Sequence, residues 1–380
     1  MLYLALLPVL IWLYLALGRG GFWRVGRLLS TDFAPMAAAG RVVAVIPARN
    51  EASVVGLAVQ SLLAQQFAGE LHIIVVDDAS ADGTAEVVRA AAEQVGGADR
   101  VTVIRSSGPD PGWSGKVCAM ARGAAAAAAL LPDYLLFTDA DIHHDPDNVA
   151  HLVGNARRLN TDLLSSMVQL TVSNSVERWL IPAFVFFFLK LYPPAWIARA
   201  GATTAGAAGG CMLVRPEALA RSGGLAAIRS RIIDDCALAT SIKRAGGRVC
   251  LGLTRKAHSL RRYGSVAEIG QMIARTAFNQ LRHSWLLLLG TLLGLVAAYL
   301  LPPLLLFSGG RVGVAGGACA WALMSCCYAP MVRFYRLNLL WILTLPAAAA
   351  FYAGVTVYSA WQYQLGRGGH WKGRAQDVRG

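Results

Sequence analysis

The chain has 380 residues, of which 56% are hydrophobic and 15% charged, with a formal net charge of +13 and a positive mean hydropathy. That length holds one α/β domain with chain to spare, and that composition excludes a wholly water-soluble protein. The arginines are scattered and flank apolar runs as membrane anchors do, so the charge points to anionic lipid and a diphosphate ligand rather than to nucleic acid.

Leu2 to Leu17 is an unbroken apolar stretch followed by Arg19, Arg24 and Arg27. No basic residue precedes it and no small-residue cleavage site directly follows, so residues 1–20 read as a membrane anchor rather than a signal peptide. The positive flank predicts a cytoplasmic location for the downstream chain of a multi-pass membrane protein. The seven cysteines form no C-x-x-C pair and no Cys/His cluster, which argues against a disulfide framework or a zinc site built on them.

From Arg41 to about Ser173 short apolar runs alternate with helical stretches. Val42–Pro47, Leu71–Asp77, Val101–Arg105 and Tyr134–Thr138 are expected as buried strands, with helices over 52–65, 84–96 and 116–130. The alternation predicts an α/β class with a mostly parallel, doubly wound sheet, whose ligands gather at the carboxyl ends of the strands. The domain is expected to run over residues 40–283. Within it, residues 175–200 carry the run Trp179–Leu189 bracketed by Glu177, Arg178 and Lys190. They are expected to lie in the membrane interface and bring a lipid acceptor to the site.

After Arg282, Ser284–Phe307, Val312–Val332 and Leu339–Trp361 each have the length of a transmembrane helix, giving a membrane region over 284–361 and a basic tail over 362–380. An outer N-terminus and three later spans would leave the tail outside, whereas Arg367, Lys372, Arg374 and Arg379 favour the inside. The side of the C-terminus stays open.

Five polar clusters interrupt the apolar pattern. Val45-Ile-Pro-Ala-Arg-Asn-Glu51 ends the first strand; Pro47, Asn50 and Glu51 either stop the strand and start a helix or surround the base and ribose of a nucleotide. At the end of the second strand stand Asp77 and Asp78, adjacent carboxylates that need partners, one of them a suitable acceptor for the imide N–H of uracil. Gly112-Trp-Ser-Gly-Lys116 has neither Walker nor dinucleotide spacing; it is a surface turn or a glycine turn that aims Lys116 at a diphosphate. The fourth strand ends in Thr138-Asp-Ala-Asp141, where Asp139 and Asp141 would share Mg2+ or Mn2+. His143 nearby reads as an ordinary loop histidine or an added ligand. Finally, Asp234 and Asp235 open a helix over Ile233–Ile242, where one carboxylate could cap the helix and Asp235 could act as a general base.

Taken in order from Arg41 to Trp285, these stretches resemble glycosyltransferase family 2, together with Gly209-Gly-Cys-Met-Leu-Val-Arg-Pro-Glu-Ala-Leu219 and Gly223-Gly224, which are similar to its acceptor-side loop and following helix. The resemblance implies the GT-A nucleotide-binding fold, Asp78 on the base, Asp139 and Asp141 on a divalent metal, and Asp235 as catalytic base beside Asp234. The anchor, G-W-S-G-K, I-I-D-D and the late helices resemble the glycosyltransferases associated with hopanoid biosynthesis. Two departures stand out: Asp234-Asp235 replaces Glu-Asp, and Asn279-Gln-Leu-Arg-His-Ser-Trp285 separates the Arg and Trp of the Q/R-x-x-R-W pattern of processive members. What is implied is an inverting hexosyl transfer of one sugar from a nucleotide-sugar, UDP-linked by preference, to a membrane lipid. A polyprenyl-phosphate glycosyl synthase and a non-catalytic nucleotide-binding membrane subunit are the alternative readings.

Overall fold

A computed structural model describes residues 2–25, 40–367, 370–371 and 374–375; Arg27, Lys372 and Arg379 lie outside these. The chain divides into two compact units, one of Met1–Val25, Val172–Trp196 and Arg262–His370, the other of Gly26–Thr171, Ile197–Arg261 and Trp371–Gly380.

The second unit is built on strands β1 (Arg41–Ala48), β2 (Glu70–Asp78), β3 (Val101–Ser106), β4 (Tyr134–Thr138), β5 (Ile142–His144), β6 (Leu163–Gln169), β7 (Cys211–Val214) and β8 (Val249–Ser259). They form one sheet in the order β3-β2-β1-β4-β7-β6-β8-β5. β3, β2, β1 and β4 run parallel, as the alternation with helices requires. Beyond β4 the sheet is mixed: β7 is antiparallel to β4 and β6, β8 is parallel to β6, and β5 is antiparallel to β8. The parallel run consists of the four strands expected from the sequence; the antiparallel pairs all involve β5 or β7, β5 following β4 after only three residues and β7 being set off from β6 and β8 by long excursions.

β1 is buried along its length after Arg41, as a central strand covered on both faces must be. Helix Gly115–Ala128 packs on β1 and β2. Gly123 permits that approach, since an added Cβ would overlap Val45. Val42, Ile46, Val75, Leu136, Leu164 and Leu213 join the core from five strands, all of them withdrawn from solvent.

The first unit is helical. Helix Leu2–Leu13 continues into a π turn at Tyr14–Gly18, and buried Trp12 donates its indole N–H to the Ala298 carbonyl at 2.6 Å. Helix Ser175–Leu191 starts with a capping box: Asn174 accepts from the Glu177 N–H, and the Glu177 carboxylate accepts from the Asn174 N–H. Glu177 also accepts from Tyr263 N at 2.6 Å. Among the described residues, four segments are long and apolar enough to cross a membrane: Ser175–Ile197, Trp285–Leu305, Arg311–Phe334 and Leu339–Gln364. The last three coincide with the late apolar stretches of the sequence. Leu286, Leu340 and Phe307 in this unit are 77%, 71% and 87% exposed, a surface suited to lipid rather than water.

Candidate active site

Because β2, β1 and β4 are parallel, their carboxyl ends share one edge of the sheet, and Asp78, Arg49 and Asp139 follow on at that edge. Strands sit about 4.8 Å apart, so the ends of β2 and β4 are separated by roughly 10 Å, the scale of a nucleotide's ribose and phosphates.

The loop after β1 is laced to the loop after β2. Asn50, at φ +50°, donates its backbone N–H to Ser80 Oγ at 2.9 Å, and its side-chain oxygen accepts from Ala81 N at 2.9 Å. Glu51 N donates to Thr84 Oγ1, and Ala52 N to the Asp82 carboxylate. Asp77 accepts from Ser80 N at 3.0 Å and closes the turn. Pro47 lies within β1 opposite Val76, where its missing N–H removes one ladder donor. Asp78 is almost wholly buried, with Ser106 Oγ 3.5 Å from its carboxylate.

Asp139 and Asp234 come from distant parts of the chain and meet at Lys116. The Lys116 ammonium is 2.8 Å from Asp139 Oδ1 and 3.4 Å from Asp234 Oδ2. Lys116 is the second residue of helix Gly115–Ala128, and Ser114, just ahead of that helix, donates its N–H to the Arg229 carbonyl at 2.7 Å. Burial works against the ammonium, yet the charges of Asp139 and Asp234 outweigh it and hold Lys116 well above the ordinary lysine value.

Asp235 opens helix Asp234–Arg244. Its Oδ1 accepts from Cys236 N at 2.7 Å and its Oδ2 from Gly209 N at 2.9 Å. A Cβ at Gly209 would lie 3.1 Å from Lys116 Nζ and 3.4 Å from Asp235 Oδ2, so glycine keeps this corner open. Burial, followed by the Asp234 charge, pushes the Asp235 carboxyl up to about 6, against the opposing pull of Lys116 and the two amides.

Asp141 is fixed from β8. Its carbonyl accepts from Leu260 N at 2.7 Å, and its Oδ2 lies 3.4 Å from Ser259 Oγ and 3.3 Å from Arg261 Nε. Arg261 also meets Glu51 at 3.2 Å. Glu51 is therefore held by an arginine that also reaches Asp141. Burial and then the neighbouring Asp139 raise the Asp141 carboxyl, with Arg261 opposing. A carboxylate whose charge is disfavoured beside a second carboxylate, the two offering oxygen donors alone, suits a hard divalent cation such as Mg2+ or Mn2+.

Behind the pair, Asn148 Nδ2 donates to His144 Nδ1 at 2.8 Å, which leaves His144 Nε2–H to donate to Thr138 Oγ1 at 3.0 Å. Thr138 in turn donates to the Gly210 carbonyl at 2.9 Å. This chain of bonds fixes the tautomer of a buried imidazole and joins the end of β4 to the start of β7. Burial, then the neighbouring His143 and His258, takes the His144 value down to about 3, so it stays neutral.

The structure thus gathers Lys116, Asp139, Asp234, Asp235 and Gly209 around one ammonium, and Asp141 and Glu51 around Arg261. Asp78 and Asn50 sit on the same edge over β2 and β1. Sequence reasoning missed Arg261, since an arginine just ahead of apolar helices reads as a membrane anchor. It also missed His144, whose polar neighbours give no sign of a buried position.

Residues 43–223 match the family described as Glycosyl transferase family 2. The mixed α/β sheet with flanking helices is of the GT-A type. The match covers just under half of the chain and stops ahead of Asp234, short of the stretch to Trp285 that carried the resemblance. Among solved structures, the chain is similar to the mannosyltransferase PcManGT from Pyrobaculum calidifontis in complex with GDP-Man and Mn2+, at TM-score 0.54 and 20% identity over 94% of this chain and 99% of that one. It is also similar to glucosyl-3-phosphoglycerate synthase from Mycobacterium tuberculosis in complex with Mn2+, UDP and phosphoglyceric acid, at TM-score 0.45 and 19% identity over 68% and 86% of the two chains. At such identities the likeness concerns the fold. No curated protein matches the chain in sequence.

Proposed function

We propose that this chain is an inverting glycosyltransferase that moves one sugar from a nucleoside-diphosphate sugar to the hydroxyl of a membrane lipid. The observation that carries the reading is the Lys116 junction: one ammonium 2.8 Å from Asp139 and 3.4 Å from Asp234, with Asp235 next in sequence at a helix start. It supports reading Asp139, a metal-type carboxylate, and Asp235, the base candidate, as parts of one site.

In this reading Asp78 and the loop of Pro47, Asn50 and Glu51 receive the nucleoside, since a buried carboxylate is a good acceptor for the ring N–H of uracil or guanine. Asp139 and Asp141 would hold a divalent metal, which when bound neutralises charge on the departing diphosphate. Lys116 adds a second positive charge at the start of a helix, where anions are favoured. Asp235, raised to about 6, is ionised at neutral pH yet more basic than an ordinary carboxylate, as a general base should be. It takes the proton of the acceptor hydroxyl as that oxygen attacks the anomeric carbon opposite the leaving group, so the configuration inverts. Asp234 stays ion-paired with Lys116 and holds the helix start in place.

The membrane assignment rests on the four long apolar segments. Ser175–Ile197 differs from the other three. β6 precedes it and β7 follows it, and the two are neighbours in one sheet. Both flanks therefore lie on one side of any bilayer, so the segment does not cross it singly; an interfacial position for residues 175–200 satisfies this. The domain division proposed is an anchor at 1–20, the catalytic domain at 40–283, membrane helices at 284–361 and a basic tail at 362–380. With a cytoplasmic site and a bacterial inner membrane, the acceptor class suggested by the sequence is a hopanoid or related polyprenoid.

The test is incubation of the detergent-purified chain with UDP- and GDP-sugars and membrane lipids, with product read by mass spectrometry. Asp235→Asn should abolish transfer to a hydroxyl and leave metal-dependent nucleotide binding intact. Full activity of that variant would overturn the base assignment and favour a phosphate acceptor. Absence of any metal-dependent nucleotide binding would favour a non-catalytic subunit.

A further inference from the structure

A second cluster of metal-ligating side chains lies on the edge strand, separate from the Asp139 and Asp141 pair. His143 on β5 stands directly opposite His258 on β8, and Asp145 follows two residues on from His143, on the same face. A ligand atom from each of His143, Asp145 and His258 lies within 4.8 Å of the other two. The two imidazoles stack at 4.6 Å with 25° between their planes, and His258 Nδ1 is 4.0 Å from Asp145 Oδ1. His143 Nδ1 is shielded from solvent with no hydrogen-bond partner among the described residues, which is costly for a ring nitrogen. Lys256, the cation nearest along β8, is drawn to Asp147 at 2.5 Å.

We infer that His143, Asp145 and His258 form a binding site for a borderline divalent transition ion of the zinc class. Two imidazoles and one carboxylate are donors that zinc, cobalt and nickel accept and that Mg2+ disfavours. Ligand atoms around a tetrahedral ion are about 3.3 Å apart, a contraction of less than about 1.5 Å that side-chain rotation supplies. β5 pairs with β8 through only three residues, Ile142, His143 and His144. An ion at this place would pin that short edge strand just beyond Asp141, whose carboxylate β8 also holds. The inference does not depend on the proposed reaction.

Equilibrium dialysis of the full chain in detergent micelles against Zn2+, and Co2+ absorption spectroscopy, test it. One equivalent should bind to the wild-type protein and to the double variant Asp139→Asn/Asp141→Asn. Affinity should fall at least tenfold in His143→Ala and in His258→Ala. A measurement needing no variant is protection of the wild-type His143 and His258 from diethyl pyrocarbonate by Zn2+, read by peptide mass spectrometry. Protection of both supports the site. No Zn2+ binding by the wild type, absence of protection, wild-type affinity in both histidine variants, or a cobalt–thiolate charge-transfer band would each overturn it.

Discussion

Lys116 and Asp139 are 2.8 Å apart, although one begins a helix and the other follows a strand on a different part of the sheet. The same ammonium touches Asp234, which stands almost a hundred residues further on. Removing its charge should therefore act on both sides of the site at once. Lys116→Met is expected to lower transfer by about 100-fold or more, the size of effect seen when one preorganised charge is removed from a catalytic centre. Steady-state assay with saturating acceptor checks this.

Asp235 sets a pH dependence. With the carboxyl near 6, transfer should rise as pH increases through about 6 and level above it. Lys116 pulls that value down, so Lys116→Met should move the midpoint to higher pH. A pH–rate profile of residual activity in the two proteins measures the shift.

The same group makes a stability statement of defined sign. Its folded value lies above that of a free aspartate, so its contribution is present at low pH and is lost as pH rises through about 6. Asp235→Asn removes this titration, so from pH 4 to pH 8 the wild type should lose on the order of 2 kcal/mol of stability that the variant keeps, apart from a constant cost in the variant where an amide NH2 faces the N–H of Gly209 or Cys236. Thermal melts in detergent at the two pH values compare them.

His144 behaves in the opposite sense. Its folded value is depressed to about 3, so the unfolded chain takes up a proton first as pH falls below the ordinary imidazole range near 6.5. Acidification from pH 7 to pH 5 should cost about 2 kcal/mol through this one group, and His144→Gln should remove that part of the pH dependence. Denaturant melts across the range provide the readout.

Gly209→Ala tests the open corner between Lys116 and Asp235. The added methyl meets the ammonium at 3.1 Å and the carboxylate at 3.4 Å. Transfer should fall by about tenfold or more, because a displacement well under 1 Å already misaligns reacting groups. The melting temperature should change little. An unchanged rate would show that this corner does not matter to the reaction.

The parallel half of the fold was legible because its strands are continuous runs of Val, Ile and Leu. Val42–Pro47 and Tyr134–Thr138 stand out against their glycine- and polar-rich surroundings. The other half was not. β5 is three residues with two histidines, and β7 is four residues between a glycine pair and Arg215-Pro216. β6 hides two serines, of which Ser165 is satisfied by the Ala208 carbonyl and amide. Such strands are set by their neighbours rather than by their own pattern. The carboxylates were legible because paired acids at strand and helix ends are expensive without a purpose. Their counter-charges were harder to see: Lys116 lies within a recognisable turn, whereas Arg261 depends wholly on tertiary approach.

The order of strands in the sheet has a consequence for biosynthesis. β7 slots between β4 and β6, both of which leave the ribosome before it, and the apolar stretch Ser175–Ile197 emerges in the interval. During that interval β4 has one unpaired edge and β6 has two, since its neighbours β7 and β8 both come later, so the nascent chain waits incomplete with a greasy segment exposed. Early engagement of that segment by the bilayer surface would shield it until Cys211–Val214 arrives to close the gap.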